Sequence, residues 1–246
     1  MSPVDVSGAQ MRRFWDRRAR EDAFYFVDNR LRYGHPDLDR FWAEGERDLD
    51  TLLDAVGASV SADDSIVDIG CGVGRLTRPL ALRAAEVWAV DVSAEMLERA
   101  RHYNGELANV HWTLGDGESL TGIGDASVDG CVSHVVFQHI PTGAVVLEYV
   151  REMGRVLKPG GWAAFQISND PVVHRPPGRV ARARHAVTAA LRRSPRGQAN
   201  PAWLGTAIDL DDLRRAAADG GLEIERIVGE GTQFCLVGVR RAGGPG

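Results

Sequence analysis

Ser65-Ile66-Val67-Asp68-Ile69-Gly70-Cys71-Gly72-Val73-Gly74-Arg75-Leu76-Thr77 is the stretch that decides the fold of this chain. An apolar run ends in an acid, glycine then recurs at every second position, and a helical pattern follows. A strand, a tight turn and a helix N-terminus in this order form a concave main-chain pocket for a nucleotide-like ligand. The glycines permit positive φ angles and a close approach of the main chain to that ligand.

The spacing of the glycines indicates which kind of ligand this is. A dinucleotide-binding turn reads G-x-G-x-x-G and holds a pyrophosphate over the helix end. Here Gly70, Gly72 and Gly74 follow G-x-G-x-G, and Asp68 precedes them. Because an acid at the strand end repels a pyrophosphate and attracts a cation, we expect a cationic ligand.

Strands and helices alternate after this stretch, which predicts right-handed crossovers and a mainly parallel sheet. A helix that opens at Asp209 and ends at Gly220-Gly221 precedes two final strands, which form a hairpin. The pattern predicts strands at Ile66–Ile69, Val87–Val90, Val110–Leu114, Val128–Val136, Trp162–Ser168, Leu222–Val228 and Gln233–Arg240, with helices at Arg75–Ala84, Ser93–Ala100 and Thr142–Val156. The predicted fold is therefore α/β, with a doubly wound, mainly parallel seven-stranded sheet.

Two regions lie outside this alternation. Residues 1–58 read as an N-terminal helical extension or lid, with an aromatic cluster at Phe24-Tyr25-Phe26, and residues 59–246 form the main domain. An insertion at about 170–207, after strand five, has seven arginines between Pro171 and Ile208, and its middle, 179–193, reads as a basic amphipathic helix. It is either a solvated loop or a lid that recognises a carboxylate, a phosphate or an acidic carrier. Contact with a membrane surface is a third interpretation.

The bulk properties indicate one ordinary globular protein. The chain has 246 residues, a net charge of −5 and three cysteines. The charge gives no general basis for nucleic-acid binding, and an odd, scattered set of cysteines argues for a reducing compartment. Because neither a leader pattern nor an apolar run of 18 residues is present, we expect a cytoplasmic protein without a transmembrane segment.

The glycine stretch resembles the first motif of class I S-adenosylmethionine-dependent methyltransferases, and further positions match that family in order. Val156-Leu157-Lys158-Pro159-Gly160-Gly161 resembles the turn before its fifth strand. The resemblance implies a Rossmann-like fold and S-adenosylmethionine as cofactor. Asp68 and the glycine loop would hold the methionine end of the cofactor, Asp91 the ribose hydroxyls and Asp116 the adenine amino group. The implied cofactor-binding residues are Asp68, Gly70, Cys71, Gly72, Gly74, Asp91, Val92, Met96, Asp116, Gly117 and Ser133.

The candidates for chemistry and for the methyl acceptor are fewer. Methyl transfer needs alignment of the nucleophile and exclusion of water, and an oxygen nucleophile of high pKa also benefits from a base. His134 and His139 are the candidate bases, although His139 can equally pack and hydrogen-bond near the cofactor. Tyr25, Phe26 and Arg175 are the candidate acceptor contacts. The histidines are scattered and no carboxylate pairs have ligand spacing, so we expect no metal site.

The function favoured by these observations is O- or N-methylation of a small molecule of specialised metabolism. The chain lacks the Asn/Asp-Pro-Pro-Tyr sequence after strand four, where Ser133-His134-Val135-Val136 stands, which argues against nucleic-acid amino groups as acceptors. Two alternatives remain open at this point: a methyltransferase acting on RNA or protein, and a non-catalytic subunit that binds the cofactor. The oligomeric state is not predicted.

Overall fold

A seven-stranded sheet forms the centre of the computed structural model, which describes residues 7–176, 178 and 195–243. Its strand order is β3-β2-β1-β4-β5-β7-β6. Strands one to five are parallel, and β7 runs antiparallel to both β5 and β6. The strands are β1 (Ser65–Ile69), β2 (Glu86–Asp91), β3 (Val110–Leu114), β4 (Val128–Ser133), β5 (Leu157–Ile167), β6 (Leu222–Val228) and β7 (Cys235–Arg241). The predicted doubly wound sheet with a terminal hairpin is confirmed.

The described helices cover both faces of this sheet. Two helices have side-chain N-caps: Ser93 Oγ accepts from the Met96 N–H at 3.2 Å, and Asp209 accepts from two N–H groups of the first turn. Such caps satisfy donors that the helix itself leaves unpaired. Thr142, which precedes the helix Gly143–Val156 and whose residue type also predicts a cap, makes no such hydrogen bond. The helices are α1 (Gly8–Val27), α2 (Leu38–Val56), α3 (Thr77–Ala81), α4 (Ala94–Tyr103), α5 (Gly143–Val156), α6 (Pro201–Leu204) and α7 (Leu210–Asp219), with a 3-10 turn at Phe137–His139.

Side-chain alternation along β1 divides the core into two layers. Ile66 packs with Leu49 and Leu52 of α2, whereas its neighbour Val67 packs in the layer that contains Val150 of α5. Both faces of a parallel sheet are buried, so its strands are apolar at consecutive positions. Because α2 shares the apolar core of the sheet, it packs as one layer of the fold. The division of the chain into an extension at 1–58 and a main domain at 59–246 stays a prediction.

Four element boundaries differ from those that the sequence predicts. The helix after the glycine loop covers only Thr77–Ala81, and β4 ends at Ser133 because Val135, at φ 60°, leaves the extended conformation. β5 starts at Leu157, directly after α5, so Pro159-Gly160-Gly161 lies within the strand. Helix α1 continues through the aromatic cluster, with one extended residue, Asp22, at a kink. Local turn signals were thus overridden by sheet pairing and tertiary packing.

The chain makes an excursion between β5 and α7 whose two ends are joined. Asn169 Nδ2 donates to the Ile208 carbonyl at 2.7 Å, and the Ile208 N–H donates to the Ser168 carbonyl at 2.8 Å. The Arg196 N–H donates to Glu21 of α1 at 3.0 Å, which anchors the returning end. The amphipathic helix predicted at 179–193 lies outside the described residues.

The helices within residues 7–176 and 195–243 are too short or too polar to span a membrane.

Candidate functional site

A deep cleft lies at the carboxyl ends of β1, β2 and β4, where parallel α/β sheets hold their ligands. It encloses about 960 Å³ of space free of atoms, part of which is continuous with solvent. The glycine loop forms its floor, and residues of α1 close one side. Its lining comprises Met11, Trp15, Phe26, Val27, Asp68, Ile69, Gly70, Cys71, Gly72, Arg75, Leu76, Val90, Asp91, Val92, Met96, Gly115, Gly117, His134, Val135, Val136, His139, Ile140 and Tyr149.

The glycine loop needs glycine for both conformation and space. Gly70 and Gly72 have φ angles of 75° and 56°. A Cβ at Gly70 would lie 2.4 Å from Cγ1 of Val136, and a Cβ at Gly72 would lie 2.8 Å from Cγ2 of Val27. Side chains here would therefore collide with the cleft walls. Gly74 also has a positive φ, of 92°, but does not line the cleft.

Asp68 is buried at the end of β1, where it lines the cleft. Its Oδ2 accepts a hydrogen bond from Thr77 Oγ1 at 2.6 Å. Burial raises the pKa of Asp68 to about 6, and the Thr77 hydrogen bond and the charge of Arg75 oppose that rise. Because the buried carboxylate has lost most of its hydration, a cationic group that enters the cleft stabilises it, and the two attract each other.

Asp91 ends β2 and joins the glycine loop to the next helix. Its Oδ2 accepts from the Gly72 N–H and its Oδ1 from the Ser93 N–H, both at 2.8 Å. Burial raises the pKa of Asp91 to about 6, although these backbone hydrogen bonds oppose the rise. Because each carboxylate oxygen has a second lone pair, the side chain can still accept from ligand hydroxyls.

The loop after β3 presents its glycines to the cleft rather than its acid. Gly115 and Gly117 line the cleft, together with Val92 and Met96. Asp116 is exposed and does not line it; its carboxylate accepts from the N–H groups of Glu118 and Ser119 and from the Ser119 and Thr121 hydroxyls. These hydrogen bonds keep its pKa below the usual range. The adenine role implied for Asp116 stays a prediction.

The predicted residues after β4 have different surroundings. Ser133 is buried away from the cleft lining and donates to the Ile69 carbonyl at 3.0 Å. His134 lines the cleft with its Nδ1 3.4 Å from the Arg75 guanidinium, and burial lowers its pKa to about 4. His139 also lines the cleft; its Nδ1 lies 2.7 Å from the Trp203 carbonyl, and burial lowers its pKa to about 4. Both imidazoles are therefore neutral at pH 7.

The three predicted acceptor contacts do not come together. Phe26 lines the cleft and packs edge-on against Trp203. Tyr25 lies outside the lining, edge-on against Tyr33, and burial raises the pKa of its hydroxyl. Arg175 is exposed and also lies outside the lining. The neighbouring residues of one aromatic cluster thus point in different directions.

An ion network beside the cleft was not predicted; Arg75 and Asp28 are buried within it, whereas Arg30 is exposed. Arg75 is 3% exposed, lines the cleft and forms an ion pair with Asp48. Arg30 donates to both oxygens of Asp28 at 2.8 Å and to Asp48 at 2.7 Å. Two arginines and two aspartates thus balance each other, and these arginines hold the pKa values of Asp28 and Asp48 below their usual range. The only sequence signal for this network was the position of Arg75 directly after the glycine loop.

Two further aromatic residues line the cleft. Trp15 of α1 packs edge-on against His139, with ring centroids 5.6 Å apart. Tyr149 of α5 is 5% exposed, and burial raises the pKa of its phenol. The sequence had left open whether Trp15 was ordinary core or lined an acceptor pocket, and it gave no signal for Tyr149. As for metals, the described part of the chain contains no group of three or more His, Cys, Asp or Glu side chains that could hold an ion.

Comparison with known proteins agrees with this geometry. Residues 67–165 match the family model described as a methyltransferase domain. Over 131 residues the chain is 35% identical to a biotin biosynthesis bifunctional protein of Teredinibacter turnerae, an alignment that covers 49% of this chain and 22% of that protein. It is 29% identical over 169 residues to a ubiquinone biosynthesis O-methyltransferase of Thiobacillus denitrificans, which covers 68% of each chain.

A third relative is a demethylmenaquinone methyltransferase of Tropheryma whipplei, 30% identical over 102 residues, 42% of this chain and 41% of that protein. The chain thus spans less than half the length of the biotin and menaquinone relatives.

Two solved structures have the same fold at low identity. Phosphoethanolamine N-methyltransferase 1 of Haemonchus contortus, solved with S-adenosylhomocysteine, superposes with a TM-score of 0.69 at 18% identity, over 100% of this chain and 51% of that one. Geranyl diphosphate C-methyltransferase of Streptomyces coelicolor, also solved with S-adenosylhomocysteine, gives 0.62 at 16% identity, over 98% and 100%.

Proposed function

We propose that this chain, which belongs to the class I S-adenosylmethionine-dependent methyltransferases and uses S-adenosylmethionine as its cofactor, transfers the methyl group to oxygen or nitrogen of a small molecule. The observation that carries the proposal is one cleft lined by both the strand-end acids Asp68 and Asp91 and by aromatic side chains. The relatives support a small acceptor, since their names refer to the biosynthesis of ubiquinone and menaquinone.

The residues of the cleft fit the cofactor. The cradle at Gly70 and Gly72 is open only because no Cβ fills it, and it would take the methionine end. Asp68 would attract the cationic end, Asp91 would accept from the ribose hydroxyls, and Met96 would contact the adenine. When bound, the cofactor supplies a methyl group on a positively charged sulfur.

The chain's own contribution to methyl transfer is electrostatic and steric. Ionised Asp68 and Asp91 favour a cationic ligand over its neutral product, since both lie in a partly desolvated cleft. Trp15 and Phe26 add apolar surface to the lining, which would help to exclude water from a bound acceptor. Alignment of two reactants in such a site accounts for a large part of a typical rate enhancement.

The charges of the cleft favour a small molecule over a nucleic acid. Among the described lining residues, Arg75 is the sole arginine or lysine, and its charge is balanced by Asp48. Binding of a polyanion requires several unpaired cations, because each phosphate contact displaces a counterion.

The test is methyl transfer from S-adenosylmethionine labelled in its methyl group. The purified chain is incubated separately with a set of small phenols, carboxylic acids and amines, with bulk tRNA and with a protein mixture. The proposal predicts that label appears in a small molecule and that Asp91→Ala loses this transfer. The matched control Asp63→Asn, which changes an exposed acid in the turn before β1, should transfer methyl groups as the wild type does. Label that enters only RNA or protein would overturn the small-molecule acceptor. Tight cofactor binding without transfer to any acceptor would favour a non-catalytic subunit.

A further inference from the structure

We propose that Gln166 and Gln138 are positioning residues for His139. Their side chains belong to a series of hydrogen bonds that all run in the same donor-to-acceptor direction. This series holds His139 in the part of the cleft lining where an acceptor would bind, with its only proton on Nδ1. His139 then positions the acceptor instead of removing its proton. The inference deepens the proposed function, because this acceptor is that of the proposed methyl transfer. It rests on the direction of four successive hydrogen bonds.

The first hydrogen bond holds a strained residue. Val135 lies just after β4 with a φ of 60°, a conformation that is costly for a β-branched side chain. Its N–H donates to Oε1 of Gln166 at 2.9 Å. Gln166 is fully buried in β5, so an amide at this point must be satisfied by specific partners.

The second hydrogen bond continues in the same direction. Nε2 of Gln166 donates to the Ile167 carbonyl at 3.0 Å and to Oε1 of Gln138 at 3.0 Å. The Gln233 carbonyl, in the segment leading into β7, is a third acceptor for the same nitrogen, so the two N–H groups of Gln166 are shared among three acceptors. Because a main-chain N–H can only donate and a carbonyl can only accept, the orientation of the Gln166 amide is fixed.

The last two hydrogen bonds fix the ring of His139. Since Oε1 of Gln138 accepts from Gln166, its Nε2 faces Nε2 of His139, at 3.2 Å. Nδ1 of His139 lies 2.7 Å from the Trp203 carbonyl, so Nδ1 bears the proton. The lone pair on Nε2 of the neutral ring therefore accepts from Gln138. With both nitrogens engaged, the imidazole has no free lone pair for an acceptor proton.

The surroundings of His139 keep it neutral. Trp15 and Trp203 pack against the ring, with centroids 5.6 and 5.0 Å away. The titratable group that acts on it is His174, on the loop after β5, whose positive form would lower the pKa of His139 further. His174 binds the Leu204 carbonyl through Nδ1 and Ser168 Oγ through Nε2 at 2.6 Å. Two histidines thus hold successive carbonyls of helix α6.

The experiment reads the protonation of His139 directly, by NMR of protein labelled with ¹⁵N-histidine. In the wild type, His139 should show the Nδ1-protonated tautomer and should not titrate between pH 5.5 and 8. Gln138→Glu replaces the donor at Nε2 by an acceptor, so His139 should gain a second proton and titrate above its ordinary range. Gln138→Met removes the donor without adding charge and should give a mixture of tautomers. Exposed His102 of α4 is the reference within each spectrum, and Asp63→Asn is the control variant.

A second readout tests the connection to helix α6. In Gln166→Met the amides of residues 203–205 should exchange up to about tenfold faster with solvent, as expected for the loss of hydrogen-bond support. S-adenosylhomocysteine should still bind both Gln138 variants with wild-type affinity, because the glycine loop and Asp91 are unchanged. If Gln166→Met does not fold, the Gln138 variants carry the test, since Gln138 lies in the short 3-10 turn Phe137–His139 and outside the central sheet.

A wild-type His139 protonated on Nε2, or one that titrates near pH 6.5, would overturn the proposal. So would identical His139 spectra in all the glutamine variants. None of these measurements uses methyl transfer, so their failure is distinguishable from a failure to find an acceptor.

Discussion

Replacement of Asp68 by asparagine is expected to stabilise the cofactor-free protein at pH 8 while it weakens cofactor binding. The folded-state pKa of Asp68 is about 6, against an ordinary value of 3.8, and burial is the main cause. Each pKa unit corresponds to about 1.4 kcal/mol, so the ionised side chain lowers the free energy of unfolding by about 3 kcal/mol above pH 7. Asparagine can still accept the hydrogen bond from Thr77 through its amide oxygen.

The sign of the effect depends on pH. Because the folded-state pKa is raised, the folded protein binds the proton more tightly than the unfolded chain, and stability from this group is lost as pH rises from 3.8 through about 6. The advantage of Asp68→Asn should therefore be largest at pH 8, about half as large at pH 5 and smaller still at lower pH. Urea denaturation at these pH values measures it, and calorimetry with S-adenosylhomocysteine measures binding.

The matched control for this prediction is Asp63→Asn in the exposed turn before β1. It should change the free energy of unfolding by less than about 0.5 kcal/mol at any pH. A loss of stability in Asp68→Asn at pH 8, or a gain that does not vary with pH, would refute the reasoning that burial of this charge costs stability.

Three further predictions concern the same cleft. Asp91→Ala should weaken binding of S-adenosylhomocysteine by about 1–3 kcal/mol, the loss of charge-assisted hydrogen bonds; near-normal affinity by calorimetry would leave Asp91 as a turn residue only. In the wild type, affinity for S-adenosylhomocysteine should fall between pH 7.5 and pH 5, because Asp68 and Asp91 gain protons near pH 6; a flat profile in titrations across this range would contradict that assignment. Arg75→Met leaves Asp48 without its buried partner and should lower the free energy of unfolding by about 3–5 kcal/mol; an unchanged urea midpoint would show that Arg30 alone balances Asp48.

The parts of the site that depend on local sequence could be predicted. Asp68 and Asp91 end strands with clear apolar patterns, and parallel strands bring their carboxyl ends together, so their placement beside one cleft follows from the fold. The glycine loop was recognisable because its spacing serves a local backbone conformation. The mainly parallel sheet followed from the alternation of strands and helices, and the hairpin from the two last predicted strands.

The parts that depend on long-range packing could not be predicted. Arg75 and Asp48 are separated by 27 positions and meet only when α2 packs beside the glycine loop. Asp116 has the position of a ligand residue, yet its own loop supplies donors for both oxygens. Ser133 lies inward because side chains alternate along β4, and the length of that strand depended on the φ of Val135.

The two ends of the segment between β5 and α7 are hydrogen-bonded to each other, so this segment is a suitable place to replace one stretch of chain by another. Asn169 and Ser168 bind Ile208 across its base, so a replacement segment would leave and rejoin the sheet at the same two points. The entropy of closing such a loop grows only slowly with its length. Segments of different length and composition can therefore be grafted here without disturbing the cofactor end of the cleft. Trp203, which lies within this segment, packs against Phe26 and binds His139 of the cleft lining, so a replacement that includes Trp203 would also change the walls of the cleft.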